Sequence, residues 1–250
     1  MLLASLLPYM GVGLLAQMVD GALGMAYGVT SSTLLLYMGM APAVVSASVH
    51  AAEVATTGVS GVSHGFFGNV DRTLLRRLAL PGALGGIVGA YFLSNIDVPW
   101  LRPFVAAYLL ALGLFLLWRA WKNRRPALLS QPTRTGRLAV VAGFLDAVGG
   151  GGWGSLTTTS LIAQNLPPRI AIGTANAAEF FVSLAISLVF LATLGVSHTE
   201  VVLGLLLGGV VAAPFAAWLA KHMPARLTTG LVGGLVVVLS LVNIWKSLAG

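Results

Sequence analysis

The 250-residue chain contains no cysteine, which excludes disulfides and thiolate metal centres and leaves the compartment open. Charge is nearly as scarce. Only 8% of residues are Asp, Glu, Lys or Arg, seven of them acidic, against 57% hydrophobic, so a soluble domain could not be covered. No P-loop is present and the glycine runs follow no strand, which removes the usual ground for ATP hydrolysis by the chain. The short alternating segments of a transmembrane β-barrel are also missing. What is there instead is a series of apolar runs of membrane-spanning length, at residues 43–62, 78–93, 103–117, 170–194, 201–220 and 227–245. The chain therefore reads as an all-α, polytopic helical membrane protein. Residues 2–19 lack a positively charged start and read as a retained helix rather than a signal peptide.

The net charge of +7 raises nucleic acid as a partner, but the basic residues sit where topology would put them. Arg119, Lys122, Arg124, Arg125, Arg134 and Arg137 crowd one linker and Arg72, Arg76 and Arg77 one loop, as in cytoplasmic segments. The lipid bilayer is the expected partner, nucleic acid is not, and homo-oligomerisation stays open.

A glycine-rich interruption, Asp146-Ala-Val-Gly-Gly-Gly-Gly-Trp153-Gly154, has a counterpart 126 positions earlier in Asp20-Gly-Ala-Leu-Gly-Met-Ala-Tyr27-Gly28. The same offset pairs Ser31-Ser32-Thr33 with Thr157-Thr158-Thr159, Pro42 with Pro168, Ala51-Ala52-Glu53 with Ala177-Ala178-Glu179, Gly82 with Gly208, and His50 with Asn176. Such a match predicts two tandem repeats, each a broken or re-entrant helix followed by three long helices, about eight to ten membrane elements in all. The expected boundaries are residues 1–122 for the first repeat, 123–136 for a basic cytoplasmic linker and 137–250 for the second. Crossing and re-entrant forms of the broken element both fit the hydropathy. The sparse basic charge of residues 195–200, compared with the loop around Arg72–Arg77, leans toward inverted repeats.

At about 1.5 Å per residue, Glu53 and Glu179 lie some 16 Å from the prolines that open their helices, near the middle of a slab about 30 Å thick. Asp20 and Asp146 fall at the level of the breaks. Each charge there costs about 2.5–3.5 kcal/mol, so the four acids and His50 are candidates for proton coupling or for structural hydrogen bonding at the breaks. A half-helix starting at Gly28 or Gly154 leaves amides unpaired with a partial positive charge, and nearby hydroxyls add donors. An anion cradle is thus expected from Gly28, Ser31, Ser32, Thr33, Gly150, Gly151, Trp153, Gly154, Thr157, Thr158, Thr159 and Asn176. His50 and Glu53 share a helix face, but the second copy offers Asn176 in place of histidine, so no metal site, and no cofactor, is expected. No activated nucleophile with its base stands out, so the chain is not expected to be an enzyme.

Gly143-Phe-Leu-Asp-Ala-Val-Gly-Gly-Gly-Gly-Trp-Gly154, Ile172-Gly-Thr-Ala-Asn-Ala-Ala-Glu179 and Met18-Val-Asp-Gly-Ala-Leu-Gly-Met-Ala-Tyr-Gly28 together resemble the sulfite exporter TauE/SafE family. The likeness covers nearly the whole chain outside the basic linker. It implies a multi-pass carrier of the inner or plasma membrane for sulfite, sulfonates or related anions, often acting outward. The first copy departs from the family's unbroken glycine run, and Ser155 stands where proline is common. The reading is a secondary transporter of small sulfur oxyanions. A cation or metal carrier using the four carboxylates is the alternative, and an intramembrane enzyme or assembly partner is the alternative of another class.

Overall fold

The computed structural model describes residues 2–23, 25–96, 100–122, 135–164, 166–195, 198–222 and 225–249. Among the described residues there are ten helices and no strand. They are α1 (Leu2–Leu23), α2 (Tyr27–Tyr37), α3 (Pro42–Phe66), α4 (Arg72–Asn95), α5 (Leu101–Trp121), α6 (Thr135–Gly149), α7 (Trp153–Ala163), α8 (Pro168–Leu194), α9 (Thr199–His222) and α10 (Ala225–Ala249). The order repeats the expected plan twice: a broken pair, then three long helices. Residues 123–134 of the expected basic linker lie outside the described residues, and α6 has already begun at Thr135.

Among the described residues three stretches qualify as membrane spans by length and composition, Arg72–Asn95, Pro103–Trp121 and Ile170–Leu194. Side chains such as Leu80, Val88, Tyr91, Leu188 and Val210 point outward and exposed, the surface a lipid-bathed protein presents. α3 is long enough but not apolar enough, because it carries a polar stripe.

The helices break where the backbone leaves the right-handed region. Gly150 (φ 70°) and Gly152 (φ 141°) hold conformations that disfavour any side chain. The first copy has no such glycine run, and Ala26 takes the left-handed conformation instead (φ 87°). Tyr27 and Trp153 open the half-helices, one residue ahead of the expected glycines. Pro42 and Pro168 stand at the starts of α3 and α8, where a missing amide hydrogen is harmless.

The packing reveals the direction of each element. α3 and α8 run antiparallel: Glu53 meets Ser183, Gly61 meets Ala177, and Asn69, past the end of α3, meets Gly173. α5 and α10 are also antiparallel, Gly113 lying against Val236 and Gly233 against Leu117. α6 runs parallel to α4, with Gly136 near Pro81, Gly143 on Gly82 and Ala147 on Gly89, so it enters at the end of the bundle where α3 finishes. α8 starts at that same end, which obliges α7 to turn back toward it. The element α6–α7 is therefore a re-entrant hairpin. α1 follows α9 in the same way, Gly13 packing on Leu205, Gly208 on Met10 and Gly209 near Gln17. α1–α2 is the matching hairpin, inserted from the end where α3 begins. Glycine permits both approaches, since a Cβ on Gly85 would meet the Val140 backbone of α6 and one on Gly208 the Met10 backbone of α1, while Gly82 makes room for the Trp153 ring. With corresponding helices antiparallel, the two repeats are inverted.

The helix ends sort the charges. Arg72, Arg76, Arg77, Arg119, Lys122, Arg137 and Arg226 belong to the end where α3 finishes, against Arg102 and Lys246 at the other. The excess marks the first end as cytoplasmic. Because the chain has no native cysteine, Lys122→Cys, Gln164→Cys and Ala41→Cys each report alone to an impermeant thiol reagent. Lys122→Cys and Gln164→Cys should label from the cytoplasm and Ala41→Cys from outside; opposite faces for Lys122→Cys and Gln164→Cys would make α6–α7 a crossing element.

Candidate functional site

The two hairpin tips meet. A Cβ built on Gly28 would come within 2.7 Å of Gly151 Cα and 2.8 Å of Glu53 Oε1, so only glycine permits this approach of the tips to each other and to α3. Next to the tips, between α1, α3 and α8, lies a cavity of about 180 Å³. Asp20, Glu53 and Glu179 line it together with Thr56, Thr57, Ser60 and Asn176, while Gln17 and Tyr27 close the tip side and His64 stands toward the cytoplasmic end. Three carboxylates thus share one small space, and no Lys or Arg is among its described lining residues.

These lining groups arise from one helical repeat. On α3, Ser46, His50, Glu53, Thr57, Ser60 and His64 succeed one another at spacings of four and three, which places them on a single face. The acids and Asn176 were legible in the sequence, whereas Gln17, Thr56, Thr57, Ser60 and His64 were not singled out. The spacing just described was the signal for the α3 residues. Inside the cavity Asn176 Nδ2 donates to Ser60 Oγ (3.1 Å) and Ser183 Oγ to Glu53 Oε2 (3.3 Å). Thr57 Oγ1 donates to the Glu53 carbonyl (2.6 Å), the usual way a helix absorbs a buried hydroxyl.

The upper part of the same stripe grips the second tip. Ser46 Oγ donates to the Ala147 carbonyl (2.5 Å), and Ser32 Oγ donates to the Gly150 carbonyl. Asp146 Oδ1 accepts the Trp153 amide (2.8 Å), so the acid caps the half-helix that follows it. Its other oxygen, Oδ2, lies 3.1 Å from His50 Nε2. The proton count follows from the donors available. The Ser46 hydroxyl hydrogen is spent on Ala147, so His50 Nδ1, 2.8 Å from the Ser46 carbonyl oxygen, must donate to that oxygen. Nε2 would then face Oδ2 as one lone pair against another. A proton has to lie between them, held by the imidazole or by the carboxyl.

The expected anion cradle is distributed differently from a single pocket. Asn176 lines the cavity, and Gly28 touches its Glu53 wall. Ser31, Ser32, Thr33, Trp153, Thr157 and Thr158 are fully buried in packing between elements. Thr33 Oγ1 donates to the Val29 carbonyl (2.6 Å) and Thr157 Oγ1 to the Trp153 carbonyl (2.5 Å). Gly150 and Gly151 form the tip contacts, Trp153 Nε1 donates to the Ala175 carbonyl (3.0 Å), and Gly154 lies between Met25 and Glu179. Thr159 receives a hydrogen bond from Arg119 (2.8 Å). His50, Glu53 and Asp146 bring ligand-type atoms within 4.8 Å of one another, a convergence that the sequence spacing of His50 and Glu53 did not reveal. Both Asp146 oxygens are occupied by hydrogen bonds, which account for the cluster as it stands.

The shared proton has a measurable consequence. In Asp146→Asn the amide oxygen accepts from Trp153 and the amide nitrogen donates to a neutral His50, so thermal stability in detergent should stay close to that of the unchanged protein. Asp146→Ala leaves both groups unpaired and should cost about 2 kcal/mol or more. Equal losses for both variants would remove the proton assignment.

A family model described as "Sulfite exporter TauE/SafE" matches residues 9–242. A Bacillus subtilis (strain 168) protein named "Probable membrane transporter protein YtnM" is 44% identical over 245 residues, covering 94% of this chain and 82% of that protein. No solved structure matches. A duplicated helical membrane chain with paired re-entrant tips around a polar cavity is thus akin to a membrane transporter, and the chain belongs to the sulfite exporter TauE/SafE family.

Proposed function

We propose that the protein is a secondary carrier of small sulfur-containing oxyanions, sulfite or a small organosulfonate, acting in the inner or plasma membrane and binding its substrate together with protons. The observation that carries the reading is the cavity itself, where Asp20, Glu53 and Glu179 are exposed to a common space without a lysine or arginine. An anion and three ionised carboxylates repel one another in a medium of low dielectric constant. Protonation removes the repulsion and converts the acids into donors, to which Thr56, Ser60 and Asn176 add neutral polar groups. The amino end of α2, whose Tyr27 backbone already donates to Asp20, supplies a favourable dipole at the cavity's inner end.

Proton and anion then bind cooperatively, because linkage makes each increase the affinity of the other. The cavity reaches from Glu53 to His64, toward the cytoplasmic end of α3, as loading for export requires. A dianion accompanied by one proton crosses with a net charge of −1, and an interior-negative potential drives that charge outward. Glu53 and Glu179 are the proposed coupling residues. In this reading the chain moves its substrate unchanged and catalyses no covalent step.

The same three carboxylates also favour a second reading, a cation carrier in which they stay ionised and coordinate the substrate. The two differ in sign. Oxyanion binding should tighten on acidification by about tenfold per pH unit for each proton taken up, whereas cation binding should weaken as protons compete. Calorimetric titration of the purified protein with sulfite and with a divalent cation, across a pH series, separates them. Glu53→Gln and Glu179→Gln mimic the protonated acids, so each should retain anion binding while flattening the pH slope; slopes unchanged in both would take proton coupling away from these residues.

A further inference from the structure

Arg119 occupies the last turn of α5, where an arginine ordinarily faces the cytoplasm. It is instead half-buried and turned onto the second hairpin. Its Nη1 donates to Thr159 Oγ1 on α7 (2.8 Å) and to the thioether sulfur of Met25 (2.9 Å), the residue between α1 and α2. Among the described residues no carboxylate lies within ion-pair distance of it. A guanidinium is a set of strong donors suited to planar or tetrahedral oxyanions, and a thioether is among the weakest acceptors a protein contains. Half-buried against two neutral acceptors, this cation has given up part of its hydration without a counter-charge, which an anion would supply.

The surroundings indicate where that anion would enter. Ser155 lies one turn from Thr159 on the same face of α7, and its hydroxyl is buried without a hydrogen-bond partner. A Cβ on Gly154 would sit 3.3 Å from Met25 Cβ and 4.0 Å from Glu179 Oε2. Met25 therefore stands between the acid-lined cavity and Arg119, and its long unbranched side chain can change rotamer at little cost. The second copy differs at this point. The position equivalent to Arg119 in the second copy, 126 residues on, is Trp245. One residue on, Lys246 reaches the far end of α2 instead, its Nζ 3.5 Å from the Tyr37 carbonyl oxygen and 4.0 Å from the centre of that ring, whereas Arg119 turns onto a hydroxyl within α7.

We infer that Arg119, with the Thr159 and Ser155 hydroxyls, is a binding point for the transported oxyanion on the far side of Met25 from the carboxylate cavity, and that the Met25 thioether holds the guanidinium's place until the anion displaces it. This rests on the anion-carrier reading. It adds the one permanent positive charge that the cavity lacks, and it makes Met25 the partition between a proton-dependent site and a proton-independent one.

The test is flux of sulfite and of methanesulfonate into liposomes containing the full chain. Arg119→Gln keeps a donor for Thr159 and removes the charge, and should raise KM by about tenfold or more with little change in thermal stability. Arg119→Lys should recover part of that loss. Met25→Leu keeps the volume and withdraws the competing sulfur, and should lower KM by about twofold or more. Its outcome does not depend on whether the arginine variants fold. Flux in the unchanged protein with the same KM in Arg119→Gln, or an unaltered or raised KM in Met25→Leu, overturns the assignment while leaving the carrier reading in place. An unchanged protein that moves neither anion overturns the carrier reading and this assignment with it.

Discussion

Breaking a helix inside an apolar slab frees backbone groups that no water can satisfy, and the rest of this structure follows from how those groups are paired. The second tip is not self-sufficient. Asp146 caps its own half-helix at Trp153, but the carbonyls of Ala147 and Gly150 are taken by Ser46 and Ser32 of the other repeat. The glycines let the tips come close enough for those bonds to form, with Gly28 pressed against Gly151. Each hairpin also leans on the opposite half through its first arm, α1 on α9 and α6 on α4. The second half cannot close its break alone, and each half packs against the other's hairpin, so the duplicated chain forms one interlocked unit.

That arrangement explains why α3 carries polar side chains along its length. It passes both the second tip and the cavity, and its single polar stripe changes task along its length. Ser46 and His50 secure backbone, Glu53 stands at the junction, and Thr57, Ser60 and His64 line open space. The stripe therefore brings the His50–Asp146 contact within about one turn of helix of the Glu53 carboxylate that lines the cavity.

Composition and the 126-residue offset were enough to read the helical membrane class, the two broken elements and the level of the acids, because those depend on hydropathy and on glycine. The insertion direction of the hairpins was not legible. It is decided by which long helix each arm follows, and that contact joins residues as distant as Gly13 and Leu205. Hydroxyls beside the breaks looked like ligand donors from spacing alone; whether they face a cavity or bond their own backbone depends on rotamers, as at Thr33 and Thr157. Arg119 was grouped with the surface charges, since a helix-end position does not reveal that its side chain turns inward toward Thr159.

The two repeats share a plan without sharing a state. The stripe of Thr56, Thr57, Ser60 and His64 on α3 corresponds, 126 residues on, to Val182, Ser183, Ile186 and Phe190 of α8. The first set borders a cavity, and the second is fully buried. Likewise Ser46 and His50, which hold the second tip, correspond to Ile172 and Asn176, which offer no equivalent grip on the first. Inverted repeats with identical side chains would favour neither end of the bundle. Here the polar lining on α3 carries the cavity toward His64 while the matching face of α8 is packed, so the asymmetry between the two ends is set by residues at which the duplication has diverged.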